Sequence, residues 1–442
     1  MIDSQDIFLN SQTKDHAKKS FGEVFTPDEL IEEMLNTLPP AVWKNPEMKW
    51  LDPAAGVGNF FAIVYHKLML GLKQSIRQEE ERRKHILEEM FFFVEIQEKN
   101  VKVINKIFNP NQKYSLNIFA NDFFLFGQST FGVSQFDVVL GNPPYQDMMT
   151  NTIRKAKNHN LWSLFIEKGF NLVKKGGFLL YVTPPAWMSP SSKLLKNIFL
   201  KYQLHFVNIS ECSRHFKGIG SQFSYYLIQK KPIHMTTKFT YEFKGGVNIQ
   251  SQTGVSKYKL NSNIKFIPQL PTAEAFSILE KTVFSGKPKY NVRYDSDLHK
   301  FTKKELLSVT KDKNFKYKII HTPKQIVWSI RPHKHQNKTK VFIPLTTYYE
   351  SMLICDYGNT QGMGYILCKN INEAEQIKSI LSSNLYRFIA NITRWSNFNV
   401  PMVIKNLPIF HGKKQFDEQD VYKYFGLNKK EIKALEVVKQ KK

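Results

Sequence analysis

Short apolar runs separated by helical stretches most constrain what this chain can fold into. They are Lys49 to Asp52, Met90 to Glu95, Leu116 to Asn121, Phe136 to Leu140 and Phe178 to Val182. Runs this short without polar alternation read as strands covered on both faces. A helix begins near Asn59. Gln78 to Glu89 then sets oppositely charged residues one turn apart, which suits a solvated helix face. Strand, crossover and parallel strand repeated in this way predict an α/β fold. Phe165 to Val173 reads as a further helix, stopped by the cations and glycines of Lys174-Lys175-Gly176-Gly177. A last strand pair is expected through His205 to Ile209 and Ser221 to Gln229.

Beyond Lys230 the segments become shorter and rich in Lys, Asn and Tyr, so a boundary is expected between Lys230 and Phe243. This divides the chain into residues 1–235 and a mixed α+β domain over 236–442, and 442 residues suit two cores. In the second domain Arg331 to Lys340 is a basic loop. Glu373 to Asn391 reads as one amphipathic helix, followed by Arg394-Trp395-Ser396-Asn397-Phe398. Asn428 and Glu431 make a variant capping box that opens a short helix to about Val438. With 63 Lys and Arg against 38 Asp and Glu, the net charge of +25 calls for a polyanionic partner. Charge alone leaves DNA, RNA and membrane open, but no apolar run reaches membrane-spanning length. Cys212, Cys355 and Cys368 stand far apart with no CxxC pair, which argues against a disulfide framework or zinc and fits a reducing cytoplasm. Met1 to Lys19 lacks the apolar core of a signal peptide. His333 and His335 have no acid or cysteine at ligand spacing, so no metal is assigned.

The first chemical cluster is Leu51-Asp52-Pro53-Ala54-Ala55-Gly56-Val57-Gly58-Asn59-Phe60, a strand end, a small-residue turn and a helix start. Small residues let backbone approach a ligand there, although Gly-x-Gly also makes tight turns with no ligand. A second acid, Glu95, ends the next strand where dinucleotide folds hold ribose hydroxyls, which points to a nucleoside. A third, Asp122, follows another strand; it can accept from an adenine amine or simply cap a helix.

In Phe136-Asp137-Val138-Val139-Leu140-Gly141-Asn142-Pro143-Pro144-Tyr145 an apolar strand runs into an amide and two prolines. An adenine amine is a poor nucleophile because its lone pair is delocalised into the ring. The Asn142 side-chain oxygen and the Pro143 carbonyl can both accept from that amine, and the proline rings fix the carbonyl's direction. Tyr145 can stack on a base. Alone, the segment also reads as a Pro-Pro turn closing a strand.

In this order the residues resemble the gamma-class DNA adenine N6-methyltransferases, the group of the TaqI and Eco57I modification enzymes. Phe21-Gly22-Glu23-Val24-Phe25-Thr26-Pro27 looks like that class's N-terminal cofactor motif. Asp52 to Phe60, Val94-Glu95-Ile96, Asn121-Asp122-Phe123, Asn142 to Tyr145, Phe165 to Lys168 with Lys174 to Gly177, and Phe216-Lys217-Gly218 complete the run. The likeness covers roughly residues 20 to 232. Asp52 stands where several relatives carry Glu.

The resemblance implies a Rossmann-like catalytic domain, S-adenosyl-L-methionine as cofactor and a target-recognition domain after it. Thr26 and Ala54 would contact the methionine part, with Asp52 beside it. Glu95 would hold the ribose and Asp122 the cofactor's adenine amine. Ile96, Phe123 and Phe165 would sandwich the adenine ring, with Asn142 and Pro144 alongside. For the target, Asn142 and Pro143 would bind the amine, Tyr145 would stack on one face and Phe216 would close the other, although Phe216 also reads as core. An adenine amine inside a duplex is reachable only if the base is flipped out. Lys334, Lys338, Lys340, Arg387 and Arg394 are candidates for phosphate contacts, and Trp328, Tyr348, Tyr349 and Trp395 for packing or base contacts. The expected partners are double-stranded DNA and, in a restriction-modification system, a cognate endonuclease; a monomer acting on one strand suffices. A nuclease domain does not fit the residues flanking these two domains. RNA or protein-glutamine methylation by the same loop, and a DNA-binding subunit without catalysis, remain the alternatives.

Overall fold

The computed structural model describes residues 26–127, 129–145, 160–216, 222–245, 250–294, 296–346, 349, 352–394, 401–412 and 416–438. The chain divides into two compact units. The first comprises 1–187, 192–240 and 259–261; the second comprises 188–191, 241–258 and 262–442.

The first unit holds, in chain order, α1 (Asp28–Leu35), β1 (Trp50–Asp52), α2 (Asn59–Gly71), α3 (Glu79–His85), β2 (Phe91–Val94), α4 (Glu98–Phe108), β3 (Asn117–Phe119), β4 (Phe136–Gly141), α5 (Leu161–Leu172), β5 (Val173–Thr183), β6 (Tyr202–Ile209) and β7 (Ser224–Pro232), and then reaches β8 (Thr237–Phe243). The strand order is β3-β2-β1-β4-β5-β7-β6-β8. The strands from β1 to β5 pair in parallel, and β7 runs antiparallel to both β5 and β6. Each residue of β1, β2 and β4 is buried, Asp52 and Asp137 included, as strands covered on both faces require, whereas edge strand β3 is half-buried. Phe61 of α2 lies stacked on Phe91 at 4.3 Å and edge-on to Phe93 at 4.8 Å, so aromatic packing seats the first crossover helix on the sheet. Strand order reverses where β1 lies between β2 and β4, and the crevice at the carboxyl ends there is where open α/β sheets bind ligands.

Two expectations shift. Helix α5 begins at Leu161, four residues earlier than the sequence suggests, and Lys174 to Gly177 lie within β5 instead of forming a helix stop. Lys174 makes an ion pair with buried Asp137, whose other oxygen accepts from the Lys49 amide at 2.8 Å. A Cβ at Gly177 would lie 2.7 Å from the Asp137 carbonyl oxygen, so this glycine serves the close β4–β5 approach.

The second unit contains β9 (Gln252–Tyr258), α6 (Ala273–Lys281), β10 (Leu307–Ser308), β11 (Tyr317–Thr322), β12 (Gln325–Ser329), β13 (Lys340–Pro344), β14 (Leu353–Cys355), β15 (Gly358–Asn359) and β16 (Met363–Leu367). It continues with α7 (Ile371–Leu381), α8 (Asn384–Ile392), α9 (Pro401–Ile404), α10 (Glu418–Phe425) and α11 (Lys429–Ala434). Its sheets run β10-β12-β11-β15 and β14-β13-β16. The single helix expected over Glu373 to Asn391 is two helices. The Ser382 hydroxyl donates back to the Lys378 carbonyl at 2.7 Å, and Ser383 turns extended at the start of α8. The capping box at Asn428 and Glu431 forms in both directions, at 3.0 and 2.7 Å. No helix among the described residues is long and apolar enough to cross a membrane.

Glu431 is 1% exposed and also accepts from Ser277 at 2.6 Å and from Lys281 at 2.7 Å. Burial alone would raise its pKa, but Lys281, Ser277 and the Asn428 amide together hold it below the ordinary value. Glu431→Ala strands Lys281 and Ser277 at once and is expected to cost the second unit about 3 kcal/mol in chemical denaturation.

Candidate active site

At the carboxyl end of β1 the chain turns through Pro53-Ala54-Ala55-Gly56-Val57-Gly58 into α2. The Ala55 amide donates to the Val94 carbonyl at 3.0 Å, which pins the turn over the end of β2. Gly58 has φ +91°, and a Cβ there would meet the Phe108 ring at 2.8 Å; this glycine sets both the turn and the packing of α4. The Gly56 amide donates to Glu95 Oε2 at 2.8 Å, while Glu95 Oε1 accepts from the Gln97 amide at 2.8 Å and Asn100 Nδ2 at 3.4 Å. Glu95 is therefore a buried, oriented carboxylate at the strand end.

Asp52 is 1% exposed and accepts from the Ala54 amide at 3.1 Å. Burial pushes its pKa up to about 8, the Ala54 amide opposes the rise and the Glu95 charge adds to it. A Cβ at Gly141, where φ is +146°, would lie 2.8 Å from Asp52 Oδ1. Glycine at the end of β4 thus lets the strand close on the acid of β1, a requirement legible only once the two strands are paired.

Asn142 follows immediately. Its Nδ2 donates to the Thr26 hydroxyl at 3.0 Å across 116 residues of sequence, and its Oδ1 accepts from the Tyr145 hydroxyl at 2.7 Å. Burial holds the Tyr145 phenol well above its ordinary pKa, so it remains a neutral donor. Pro143 is buried and Pro144 exposed. The strand end, the glycine turn, Glu95 and the Asn142 amide thus gather on one side of the sheet.

Asp122 caps a short 3-10 turn at Phe123–Leu125, its Oδ1 accepting from the Phe124 amide at 2.8 Å. The capping role is real, and the second carboxylate oxygen is not part of it. Phe123 and Phe165 stack on each other at 4.9 Å, so as they stand they form one wall and do not face each other across a ring-wide gap. Lys168 Nζ covers Phe123 at 5.0 Å. Ile96 is 59% exposed, an apolar surface at a strand end that a planar ring would cover.

Phe216 is core. It is 5% exposed and lies 4.2 Å from Phe223, which in turn lies 5.5 Å from Tyr145. Phe223, which sequence reading missed, therefore stands between the two aromatics expected to face one base. The turn bearing Phe216 is tied to α1 by Arg214 and His215, both on Glu33 Oε1, at 2.8 and 3.2 Å. Phe21 to Phe25, Lys217 and Gly218 lie outside the described residues.

Two of the expected phosphate contacts are corrected. Lys340 is 0% exposed; its ammonium donates to the carbonyls of Asp356 and Tyr357 at 3.2 and 2.6 Å, and burial lowers its pKa to about 8. Arg387 is 4% exposed, because α8 is buried on every face. Arg394 is half-buried, while Lys334 and Lys338 are exposed, Lys334 with Asp297 at 3.9 Å. Trp328 is half-buried under Lys311 at 5.2 Å and Tyr349 is fully buried, whereas Tyr348 and Trp395 lie outside the described residues.

The Asp52 carboxyl gives a test. Its folded pKa lies above the ordinary 3.8, so the unfolded chain ionises it first as pH rises, and the cost to the fold builds between about pH 4 and about pH 8 and persists above that. Asp52→Asn removes that cost. The melting temperature of the variant relative to the parent is expected to increase from about pH 5 to about pH 8; a difference independent of pH contradicts a buried neutral carboxyl.

Residues 59–215 match the family model of the Eco57I restriction-modification methylase. An "uncharacterized adenine-specific methylase" of Mycoplasma pneumoniae is 24% identical over 248 residues, covering 40% of this chain and 58% of that protein. The chain thus spans little more than half the length of this relative. A nuclease-deletion mutant of the Type ISP restriction-modification enzyme LlaGI, solved with a DNA substrate mimic, superposes with a TM-score of 0.50. That match covers 85% of this chain and 53% of that one at 11% identity, which speaks for the fold alone. Residues 59–215 are therefore similar to an Eco57I-type restriction-modification methylase region, and they lie in a Rossmann-like α/β sheet.

Proposed function

We propose that this chain transfers a methyl group from S-adenosylmethionine to the exocyclic amine of a flipped adenine in duplex DNA, as a site-specific modification methylase. The observation that carries this reading is Asn142. Its amide is held between two hydroxyls at the end of β4, beside the turn and acids that close the end of β1.

The residues fit the cofactor. Open space lies above Gly56, the Glu95 carboxylate is oriented at the strand end where ribose hydroxyls would lie, and exposed Ile96 offers an apolar face to an adenine ring. Phe123, packed on Phe165, backs the same region, and the free oxygen of Asp122 suits an adenine amine. Thr26, Asp52, Ala54 and Pro144 would line the methionine end. When bound, the cofactor supplies a methyl group on an electron-poor sulfur. Asn142 Oδ1 and the Pro143 carbonyl would accept both hydrogens of the target amine, drawing its nitrogen out of conjugation and toward that methyl. One of those hydrogens would leave as a proton to solvent once the new carbon–nitrogen bond has replaced the methyl group's bond to sulfur. Tyr145 would give up its contact with Asn142 and stack on the base, with Phe223 and Phe216 as the wall behind it. Rate then comes from positioning and preset acceptors, without a covalent enzyme adduct.

In this reading the second unit grips the duplex through exposed cations such as Lys334 and Lys338. A monomer suffices for methylation, and a separate endonuclease would complete a restriction-modification system.

Asn142→Ala is expected to keep cofactor affinity within about threefold while lowering methyl transfer to DNA by about 100- to 1000-fold, the usual loss for one preorganised polar group. Unchanged turnover contradicts the assignment. Duplex affinity is expected to fall at least tenfold between about 50 and about 200 mM salt, as counterion release requires; binding indifferent to salt contradicts a phosphate-gripping unit.

A further inference from the structure

Resting on the reading of the second unit as the part that grips DNA, we infer that the outer face of β12 and its edge neighbour β10 is laid against the duplex. Ile326, Trp328 and Ile330 would meet the groove, and Lys311, Lys316 and Lys324 the flanking phosphates. Alternate residues of a strand share a face. Val327 of β12 turns inward and packs with Ile319 and Leu298 as core. Ile326 and Trp328, with Ile330 just past the strand end, therefore turn the other way. Ile326 is 43% and Ile330 40% exposed, and Trp328 is half-buried between them. On the same face β11 is covered, because Ile320, opposite Ile326, is buried with Phe342 and Tyr365. That cover ends at Lys318, opposite Trp328, which lies over the Tyr357 ring at 4.3 Å and donates to its hydroxyl at 2.8 Å. Lys318 thus walls one side of the apolar stripe. On the other side lies β10, the edge of the sheet, where Ser308 stands opposite Trp328.

Charge decides what such a stripe would meet. Residues 309–330 contain five lysines, at 311, 313, 316, 318 and 324, against one acid, Asp312. The Asp312 carboxylate is taken up by its own turn, accepting from the Asn314 and Phe315 amides, both at 2.7 Å. Lys311, Lys316 and Lys324 are exposed, and the Lys311 ammonium lies 5.2 Å from the Trp328 ring. An apolar centre with a cationic rim fits duplex DNA, in which phosphates flank base edges and thymine methyl groups. A two-stranded ribbon is also an element that the major groove admits. Lys334 and Lys338 would hold phosphates through charge, whereas this stripe adds contact that salt does not weaken.

The test uses duplexes that the parent protein selects from a random-sequence pool. Ile326→Thr combined with Ile330→Thr keeps β-branched side chains on an exposed face and removes the apolar contact. The double variant is expected to raise Kd at least about tenfold while leaving the slope of log affinity against log salt unchanged. Lys311→Gln should also weaken binding, but with the slope reduced by about 1. Ile326→Thr alone repeats the first measurement should the double variant melt early. Unchanged Kd in the isoleucine variants, or a parent protein that selects no duplex, overturns the inference. So does a double variant that binds duplexes normally and has lost concentration-dependent sedimentation, since the face is then an interface between copies. Duplex binding that falls as predicted in a protein that methylates no adenine upholds the surface and overturns the proposed reaction instead.

Discussion

The structure depends on how closely the ends of β1 and β4 approach each other. At that point a strand ending in a buried acid meets a strand ending in glycine, and a Cβ on Gly141 would lie 2.8 Å from the Asp52 carboxylate. The close approach carries Asn142 to the rim of the same crevice that the Gly56 to Gly58 turn and Glu95 line. It also fits a strand that is buried along its whole length and then stops abruptly. The two prolines end strand pairing, and the amide before them is left to side-chain partners.

The same approach has an electrostatic cost. Asp52 is removed from water next to Glu95, with the Ala54 amide as its one donor among the described residues, so its neutral form is favoured up to about pH 8. An acid kept in so unfavourable a place contributes little to folding, which fits a group retained for a ligand. Glu95, by contrast, takes two backbone amides and a side-chain amide, and its orientation is set before anything binds. Preset acceptors on a rigid sheet are what a reaction with a weak nucleophile requires.

Much of the first unit was legible because its signals are local. The short apolar runs became parallel strands, buried except at the β3 edge, and the small-residue turn and the acids at the strand ends followed from strand geometry. What escaped depends on contacts across the sequence. Phe223 takes its meaning from its place between Tyr145 and Phe216, and Thr26 meets Asn142 only through the fold. The second unit was read less well for a related reason. Lys340 and Arg387 were assigned to the surface by charge, yet their long aliphatic stems are buried, and backbone carbonyls satisfy the Lys340 ammonium. The break between α7 and α8 hangs on two serines whose preference for caps is overridden in many helices.

The most direct test of the central claim is to incubate the protein with tritiated S-adenosylmethionine together with unmethylated genomic DNA, total RNA and a protein extract in parallel, then identify the labelled nucleoside or residue. Label recovered as N6-methyladenine from duplex DNA is the predicted result. Label confined to RNA or protein, or no label in a preparation that binds the cofactor, would contradict it.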